Sequence, residues 1–562
     1  MTTQSGPLPG TQHAVQLVAQ GEAVLNAAKP VHEPGPFEIL LKVEAVGLCF
    51  SDTKLRKQFS QHPRKSTILS GIDPEILAGI RSYVPGEQPG VPGHEAVGRI
   101  VAVGDQVTRH TVGERVLVQT DYRSLPTQGS NAAFGYTFEG ALQEYVLLDE
   151  RVVIEPTTGE RYLIPAPEEL SASSIALVEP WSCVENAFAN RDRRAMLAGG
   201  AALVVAAAGR DLDGLAGVLP AERGPVTAVL ADEGQREQAT ALGLDVAADL
   251  DSLAKGAFDD IVYLGAHGPT IERLQGLLRH GGVLNLVLGG QRIGVGVQVD
   301  VGQVHYGGAR WIGTTGDDPA VSWQSVPDSG ELRPDERVLI VGAAGPMGQM
   351  HMIRSIAAEH PPTELVGTDI DDERLAALRA KAEPFATQRG VPVRYLNTRT
   401  TPIEGEFTYQ TVMVPAAALA AACVATAADG CIIDVFAGIP AGTSAEFDLD
   451  GYVAKRCYMF GTSGSNIEDM KAVLAMVADG RLDTNVSVDA VSGMAGAIDG
   501  LAAVEHQALN GKVIIYPALA DLGMTRLSDL PAEVGAQVTG GMWNVAAEAA
   551  LLGDDADAKG RA

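Results

Sequence analysis

The sequence predicts a mixed architecture: a β-barrel-like domain first, then two α/β domains built on parallel sheets. Three observations carry this. Between residue 11 and about residue 150, apolar residues alternate in F-E-I-L-L-K-V-E-A-V and A-V-G-R-I-V-A-V-G, and G-D-Q-V and V-G-E-R-V punctuate them as turns, which is the pattern of half-buried strands. From about 196 to 490 the texture changes to alternating strands and helices, as in βαβ units. The 562 residues exceed one ordinary core, so two to four domains are expected.

Composition narrows the function classes. A hydrophobic share of 46% supports large buried cores. Five cysteines without close pairing, and an opening M-T-T-Q-S-G-P-L-P-G that lacks a basic and then apolar signal region, fit a reducing cytoplasm. No apolar run approaches the roughly 18 residues of a membrane span. The net charge of −28 disfavours nucleic acid and anionic membranes as partners, but says nothing about a small substrate, which answers to local charge.

Taken in order, the barrel-like region is followed by S-A-S-S-I-A-L-V-E-P-W-S-C-V-E-N-A-F, read as a helix pair. The βαβ region then repeats itself. R-W-I-G-T-T-G-D-D from Arg310 matches R-C-Y-M-F-G-T-S-G-S-N from Arg456, and G-G-V-L-N-L-V-L-G-G from Gly281 parallels D-G-C-I-I-D-V-F-A-G from Asp429. A-L-V-V-A-A-A-G-R-D-L from Ala202 corresponds to V-L-I-V-G-A-A-G-P-M-G from Val338. Two consecutive nucleotide-binding-type domains follow, at about 196–325 and 333–490, with chance similarity between generic βαβ units as the alternative.

The chemistry-bearing residues lie in both regions. Cys49 in G-L-C-F-S-D-T, His94-Glu95 in P-G-H-E-A-V-G and Glu179 in V-E-P-W-S-C offer the mixed thiolate, imidazole and carboxylate set of a catalytic zinc site, which keeps one position open for water or substrate. In the second copy, Gly342, Gly345 and Gly348 follow the strand V-L-I-V and open a helix, so backbone can approach a pyrophosphate at the helix N-terminus. Pro346 and Met347 in the same loop, and Arg374 further on, complete the expected cofactor-binding set.

The usual first glycine of this fingerprint is Ala343, so the turn must tolerate a methyl group or shift by one residue. Asp369 ends the next strand, where a carboxylate accepts hydrogen bonds from ribose hydroxyls and repels a 2′-phosphate; NAD is favoured over NADP, the alternative being a helix-capping residue in a sheet that binds nothing. The first copy carries Ala206, Gly209 and Leu212 at the glycine positions, followed by Arg210-Asp211, and reads as scaffold.

With these motifs the chain resembles the zinc-dependent medium-chain dehydrogenase/reductase family. It is most similar to the sorbitol dehydrogenase branch and, in G-P-M-G-Q-M-H and C-F-S-D-T-K, to L-sorbose-1-phosphate reductases. The resemblance implies a GroES-like zinc catalytic domain over 1–190, completed by about 491–517. It also implies an NAD-binding Rossmann domain over 333–490 and a C-terminal tail over 518–562. The degenerate Rossmann-like copy at 196–325 is extra to the family's usual chain.

Carried over, Cys49 and His94 are zinc ligands, Glu95 is a ligand or a close carboxylate partner, and Glu179 is a ligand or holds the zinc-bound water. Ser51 matches the first hydroxyl of the proton relay. Lys54 stands where relatives often carry histidine, which breaks the relay or turns a cation toward an acidic substrate. Residues 120–140 contain no cysteine, so the family's four-cysteine structural lobe is absent and one zinc per chain follows.

The expected activity is interconversion of a secondary alcohol and a ketone on a polyol, sugar or sugar phosphate, with NAD(H). A zinc-free reductase of the quinone reductase type and a non-catalytic nucleotide-binding scaffold are the competing readings. His62, Arg64 and Lys65 in Q-H-P-R-K form a basic cluster able to clamp a phosphate, against a solvated loop with incidental charges. His351 reads as packing or capping, and Cys183, Cys423, Cys431 and Cys457 as buried core thiols.

In this family subunits commonly pair their cofactor domains through edge strands. A chain with two such domains can pair them internally, as an alternative to a homo-oligomer, if the strands near Gly313 and Gly461 lie side by side. A copy that covers the active-site cleft or binds another nucleotide is the competing account, and one NADH per chain is expected.

Overall fold

The computed structural model describes residues 3, 4 and 6–553. It divides into two compact units, Met1–Glu185 with Ser465–Ala562, and Asn186–Gly464. Part of the expected tail, 554–562, lies outside the described residues. Among the described residues no helix is long and apolar enough to cross a membrane.

The first unit is built on a nine-stranded sheet. Its hub is Glu38–Gly47, which pairs antiparallel with Glu95–Val103, Tyr145–Asp149 and Lys512–Ile515. The alternation in E-I-L-L-K-V-E-A-V-G places Ile39, Leu41 and Val43 in a core shared with Ile100, Val116, Val146 and Val513. Register then positions chemistry: Gly47 stands opposite Glu95, and Ile514 opposite Gly47, so Cys49, Glu95 and Lys512 leave neighbouring strand ends.

Helix Val178–Ala189 carries Glu179 in its first turn and follows the short helix Ala172–Ala176. The C-terminal segment fastens that pair. Glu548, on helix Val545–Leu552, accepts hydrogen bonds from the backbone N–H groups of Ala172 at 2.6 Å and Ser173 at 2.9 Å and from Tyr516 Oη at 2.8 Å, while Trp543 Nε1 donates to Tyr516. A carboxylate is favoured there because a helix N-terminus presents unpaired donors and a positive dipole end.

The second unit holds one twelve-stranded sheet. Its order is Asp245–Val246, Val226–Leu230, Ala202–Ala206, Phe258–Leu264, Leu278–Val287, Arg310–Thr314, then Tyr458–Phe460, Ala427–Asp434, Phe407–Val412, Arg337–Val341, Glu364–Asp369 and Val393–Asn397. Six strands come from each sequence copy. Within each half the pairings are parallel, and the seam between Arg310–Thr314 and Tyr458–Phe460 is antiparallel, with Trp311 opposite Met459.

A second antiparallel pair, Val297–Asp300 with Ser444–Phe447, reinforces the seam. The strand that carries Gly313 and the one that leads into Gly461 therefore lie side by side. Reciprocal hydrogen bonds run between the halves: Asp450 accepts from Ile293 N and Gly294 N, and Asp300 from Gly442 N.

These boundaries differ from those expected. The copies at 196–325 and 333–490 share one sheet and one apolar core, which runs from Leu203 and Ile261 through Trp311 to Ile433 and Tyr452. The second unit closes at Gly464 rather than near 490. Helix Ile467–Ala478 and the segment after it belong to the first unit, where Asn485 and Ser487 bind Ser171, Ser173 and Trp181.

Candidate active site

Cys49, His94 and Glu95 meet in the first unit, with one potential ligand atom from each all within 4.8 Å of one another. Cys49 caps helix Phe50–Gln58, while Glu95 opens the strand Glu95–Val103 and His94 immediately precedes it. His94 and Glu95 are buried and Cys49 is half-buried. Glu95 pairs through Oε1 with Lys512 Nζ, and its Oε2 is buried without a hydrogen-bond partner. A buried carboxylate oxygen left unpaired beside a thiol and an imidazole is what a zinc ion would satisfy.

Asp52 organises this cluster. Its carboxylate lies 3.0 Å from His94 Nδ1 and accepts from Cys49 N at 3.0 Å and Gly93 N at 3.2 Å. Burial alone would raise its pKa, but the His94 charge and these hydrogen bonds outweigh burial and hold the carboxyl below its usual range. With Asp52 ionised, Nδ1 carries the hydrogen and Nε2 is left for a metal, 3.3 Å from Ser51 Oγ. Lys512 is likewise buried; burial disfavours its charge, yet Glu95 and Cys49 keep it raised.

Glu179 is outside the tight three-residue set. Burial pushes its pKa up to about 7, against the pull of His94, with Glu95 adding to the rise. Cys183, one helical turn further on, is also held well above its ordinary value by burial and by the charges of Glu179 and Cys49. It borders the centre rather than a remote core.

On another side Tyr136 stands between two imidazoles, with ring centroids 5.6 Å from His94 and 5.2 Å from His62, and burial pushes its pKa up to about 12. The basic cluster is largely committed internally. Arg64 binds Asp121 at 2.6 and 3.4 Å, and Lys65 donates to Val84 O at 2.5 Å and Gln88 O at 2.8 Å. Lys54 is exposed, its ammonium 5.7 Å from the centre of the Phe50 ring.

In the second unit, the loop after Arg337–Val341 shifts its turn by one residue. Gly342 takes φ +83, and Ala343 is buried with its N–H on Thr368 O at 2.7 Å. Gly345 is the N-cap of helix Pro346–Ala357, Pro346 occupies its first turn and Met347 follows. Any Cβ on Gly348 would meet Gly342 O at 2.6 Å, so only glycine allows this close packing.

Asp369 ends its strand buried, with Oδ1 accepting from Ile370 N at 2.8 Å. Arg374 reaches back to within 3.4 Å of a Cβ position on Gly345, and its Nε is buried without a partner. His351 packs against Phe436 at 4.5 Å, inside the helix.

The matching loop of the first copy satisfies itself. Gly209 N donates to Asp232 at 2.6 Å, Gln235 Nε2 donates to Ala207 O and Arg210 O, and the Arg210 guanidinium binds Val287 O and Asp317. A five-residue 3₁₀ helix, Asp213–Gly217, follows in place of a long helix.

Residues 35–157 match the alcohol dehydrogenase GroES-like domain. The uncharacterized protein YggP of Escherichia coli (strain K12) is 30% identical over 254 residues, covering 39% of this chain and 57% of that protein. D-altritol 5-dehydrogenase of Agrobacterium fabrum and sorbitol dehydrogenase of Bos taurus are each 35% identical over 106 residues, 19% of this chain and 24% of each relative. The chain thus spans 57% of the length of the first of these relatives and 24% of the other two.

A solved structure, 2R,3R-butanediol dehydrogenase from Bacillus subtilis, shares the fold with a TM-score of 0.51 at 15% identity over 90% of this chain and 100% of that one. Residues 35–157 are thus similar to an alcohol dehydrogenase GroES-like domain, and the relatives D-altritol 5-dehydrogenase and sorbitol dehydrogenase are similar to a stretch of 106 residues.

Sequence reading missed Asp52, Lys512 and Tyr136. Asp52 left a local signal, since it lies three residues after Cys49 in a helix-opening C-F-S-D. Lys512 left none, because it reaches Glu95 from 417 residues away.

Proposed function

We propose that this chain is a zinc- and NAD-dependent oxidoreductase that interconverts a secondary alcohol and a ketone on a polyol, sugar or sugar phosphate. The observation that carries this is the convergence of Cys49, His94 and Glu95, with Glu95 Oε2 buried and unpartnered. Two relatives are named as dehydrogenases of the polyols altritol and sorbitol, which supports the substrate class.

Zinc, when held by Cys49, His94 and Glu95, supplies a Lewis acid for the substrate oxygen, and NAD, when bound, supplies the hydride acceptor. The side chains do the rest. Asp52 fixes the His94 tautomer. Ser51 Oγ, 3.3 Å from His94 Nε2, is placed to take the proton of the substrate hydroxyl and pass it outward. Lys512 pairs with Glu95 and so limits the negative charge of the Cys49, His94 and Glu95 cluster. Glu179, kept from full ionisation by burial, lines the same space. Lys54, exposed on the helix that Cys49 caps, is a candidate contact for an acidic substrate.

In the second unit, the helix N-terminus at Gly345-Pro346-Met347 would receive the pyrophosphate, aided by Gly342 and Gly348 and by Arg374, whose Nε is buried without a partner, while Asp369 would take the ribose hydroxyls. The first copy, its loop closed on Asp232 and Gln235, is scaffold. The deciding experiment is NADH oxidation over a panel of ketoses and ketose phosphates, with metal analysis of the same sample. About one zinc per chain is expected, lost together with turnover in Cys49→Ala. Full activity in metal-stripped wild type would overturn the zinc reading.

A further inference from the structure

In a doubly wound sheet, a dinucleotide lies across the carboxyl ends of the parallel strands. If the carboxy-terminal half of the second unit binds NAD(H), Asp369 would hold the adenosine side and the helix that starts at Pro346 would hold the pyrophosphate. The nicotinamide would then fall on the opposite side, over the ends of Phe407–Val412 and Ala427–Asp434.

The seam brings the other half to this same edge. Because Arg310–Thr314 runs antiparallel to Tyr458–Phe460, the start of Arg310–Thr314, and the helix Val301–His305 before it, stand at the carboxyl ends of the neighbouring half. His305 Nδ1 donates to Val435 O at 2.9 Å, in the loop that follows Ala427–Asp434. The His305 ring meets the Tyr306 ring edge-on, with centroids 4.4 Å apart at 88°.

Tyr306 then extends over the loop, and a Cβ on Gly438 would meet its hydroxyl at 2.7 Å. Tyr306 is 46% exposed, whereas the adjoining His305 is buried. An aromatic ring braced edge-on by His305 and partly exposed is suited to stacking on a planar heteroaromatic ring.

We propose that the amino-terminal half contributes Tyr306 as the wall of the nicotinamide pocket in the carboxy-terminal half. The inserted copy thus completes the cofactor site it does not itself form. This rests on the reading that the carboxy-terminal half binds NAD(H).

The test is binding of NADH and of ADP-ribose, which lacks the nicotinamide, to the full chain as wild type, Tyr306→Ala and Gly438→Ala. Tyr306→Ala should weaken NADH by about tenfold and leave ADP-ribose unchanged, the scale of losing one aromatic contact. Gly438→Ala keeps the phenol but pushes it aside, and should show the same selective loss. NADH binding as tight as wild type in Tyr306→Ala, or equal weakening of both ligands, would overturn the proposal. Wild type that binds neither ligand would overturn the cofactor reading itself, a result distinct from either variant pattern.

Discussion

Asp52 accepts a hydrogen bond from His94 Nδ1 at 3.0 Å while also holding the backbone N–H groups of Cys49 and Gly93. One carboxylate thus ties together the two segments that supply the thiolate and imidazole. Such partners orient ligands and raise their basicity, and their loss typically costs about 10–100-fold in metal affinity. Asp52→Asn should weaken zinc binding on that order in a chelator competition while leaving the barrel folded. Undiminished affinity would mean that strand packing alone positions His94.

Glu95 and Lys512 form a buried ion pair between strand ends. Removing one partner strands a charge in the interior, at a cost of about 3–5 kcal/mol. Lys512→Met should therefore lower the urea midpoint of the first unit sharply, and Glu95→Gln combined with Lys512→Met should recover much of the loss. A double variant as unstable as the single one would show that lost packing, not stranded charge, is responsible.

Local pattern made much of this legible, and distance in sequence hid the rest. Cys49, His94 and Glu95 announced themselves because each sits in a short run whose residue types suit a metal, and the structure brings all three together. The glycine loop was readable because strand, turn and helix follow within a dozen residues, and Gly342 at φ +83 absorbs the one-residue shift that Ala343 required.

The domain boundary near Gly464 was not readable, since it depends on Asn485 and Ser487 binding residues some 300 positions away. Nor could composition show that Arg64 and Lys65 use their donors on Asp121, Val84 and Gln88.

Asp369, at the end of its strand, should discriminate between cofactors. Wild type should favour NAD(H) in kcat/KM, and Asp369→Ala should relax that preference by admitting a 2′-phosphate near Arg374. Titration should reach one NADH per chain, because Asp232 and Gln235 close the loop of the other half. Equal use of NADPH by wild type would show that Asp369 contacts no ribose, and two sites per chain would show that the closed loop opens.

Tyr452 is a rivet of the seam. Its hydroxyl donates to Trp311 O at 2.9 Å and accepts from Met459 N at 2.8 Å, joining both halves of the sheet. Tyr452→Phe leaves two buried backbone groups unpaired, at about 1–3 kcal/mol each. Hydrogen exchange should accelerate at Trp311 and Met459 more than at Val204 or Ile340 deep in each half. Uniform acceleration would argue that the two halves are not separable along this line.

His351 offers a pH prediction with a fixed sign. Its ring is buried beside Phe436 and Phe188, and neither nitrogen has a hydrogen-bond partner. Burial first, and the nearby Arg354 charge second, push its pKa down from 6.5 to about 3. The folded chain therefore keeps His351 neutral while the unfolded chain protonates it below about pH 6.5, so between those values the unfolded state binds more protons and stability falls as pH falls. The contribution is complete above the unfolded pKa and erodes by about 1.4 kcal/mol per pH unit below it. His351→Leu, which cannot protonate, should unfold at a urea midpoint that declines less steeply between about pH 6.5 and about pH 4. Other groups titrate in this range in both proteins, so the informative quantity is the difference between them, constant above neutrality and shifting in favour of the variant with acid. A difference that stays constant across the range would mean that His351 finds a partner on protonation, and that its two bare nitrogens do not oppose charge as the burial implies.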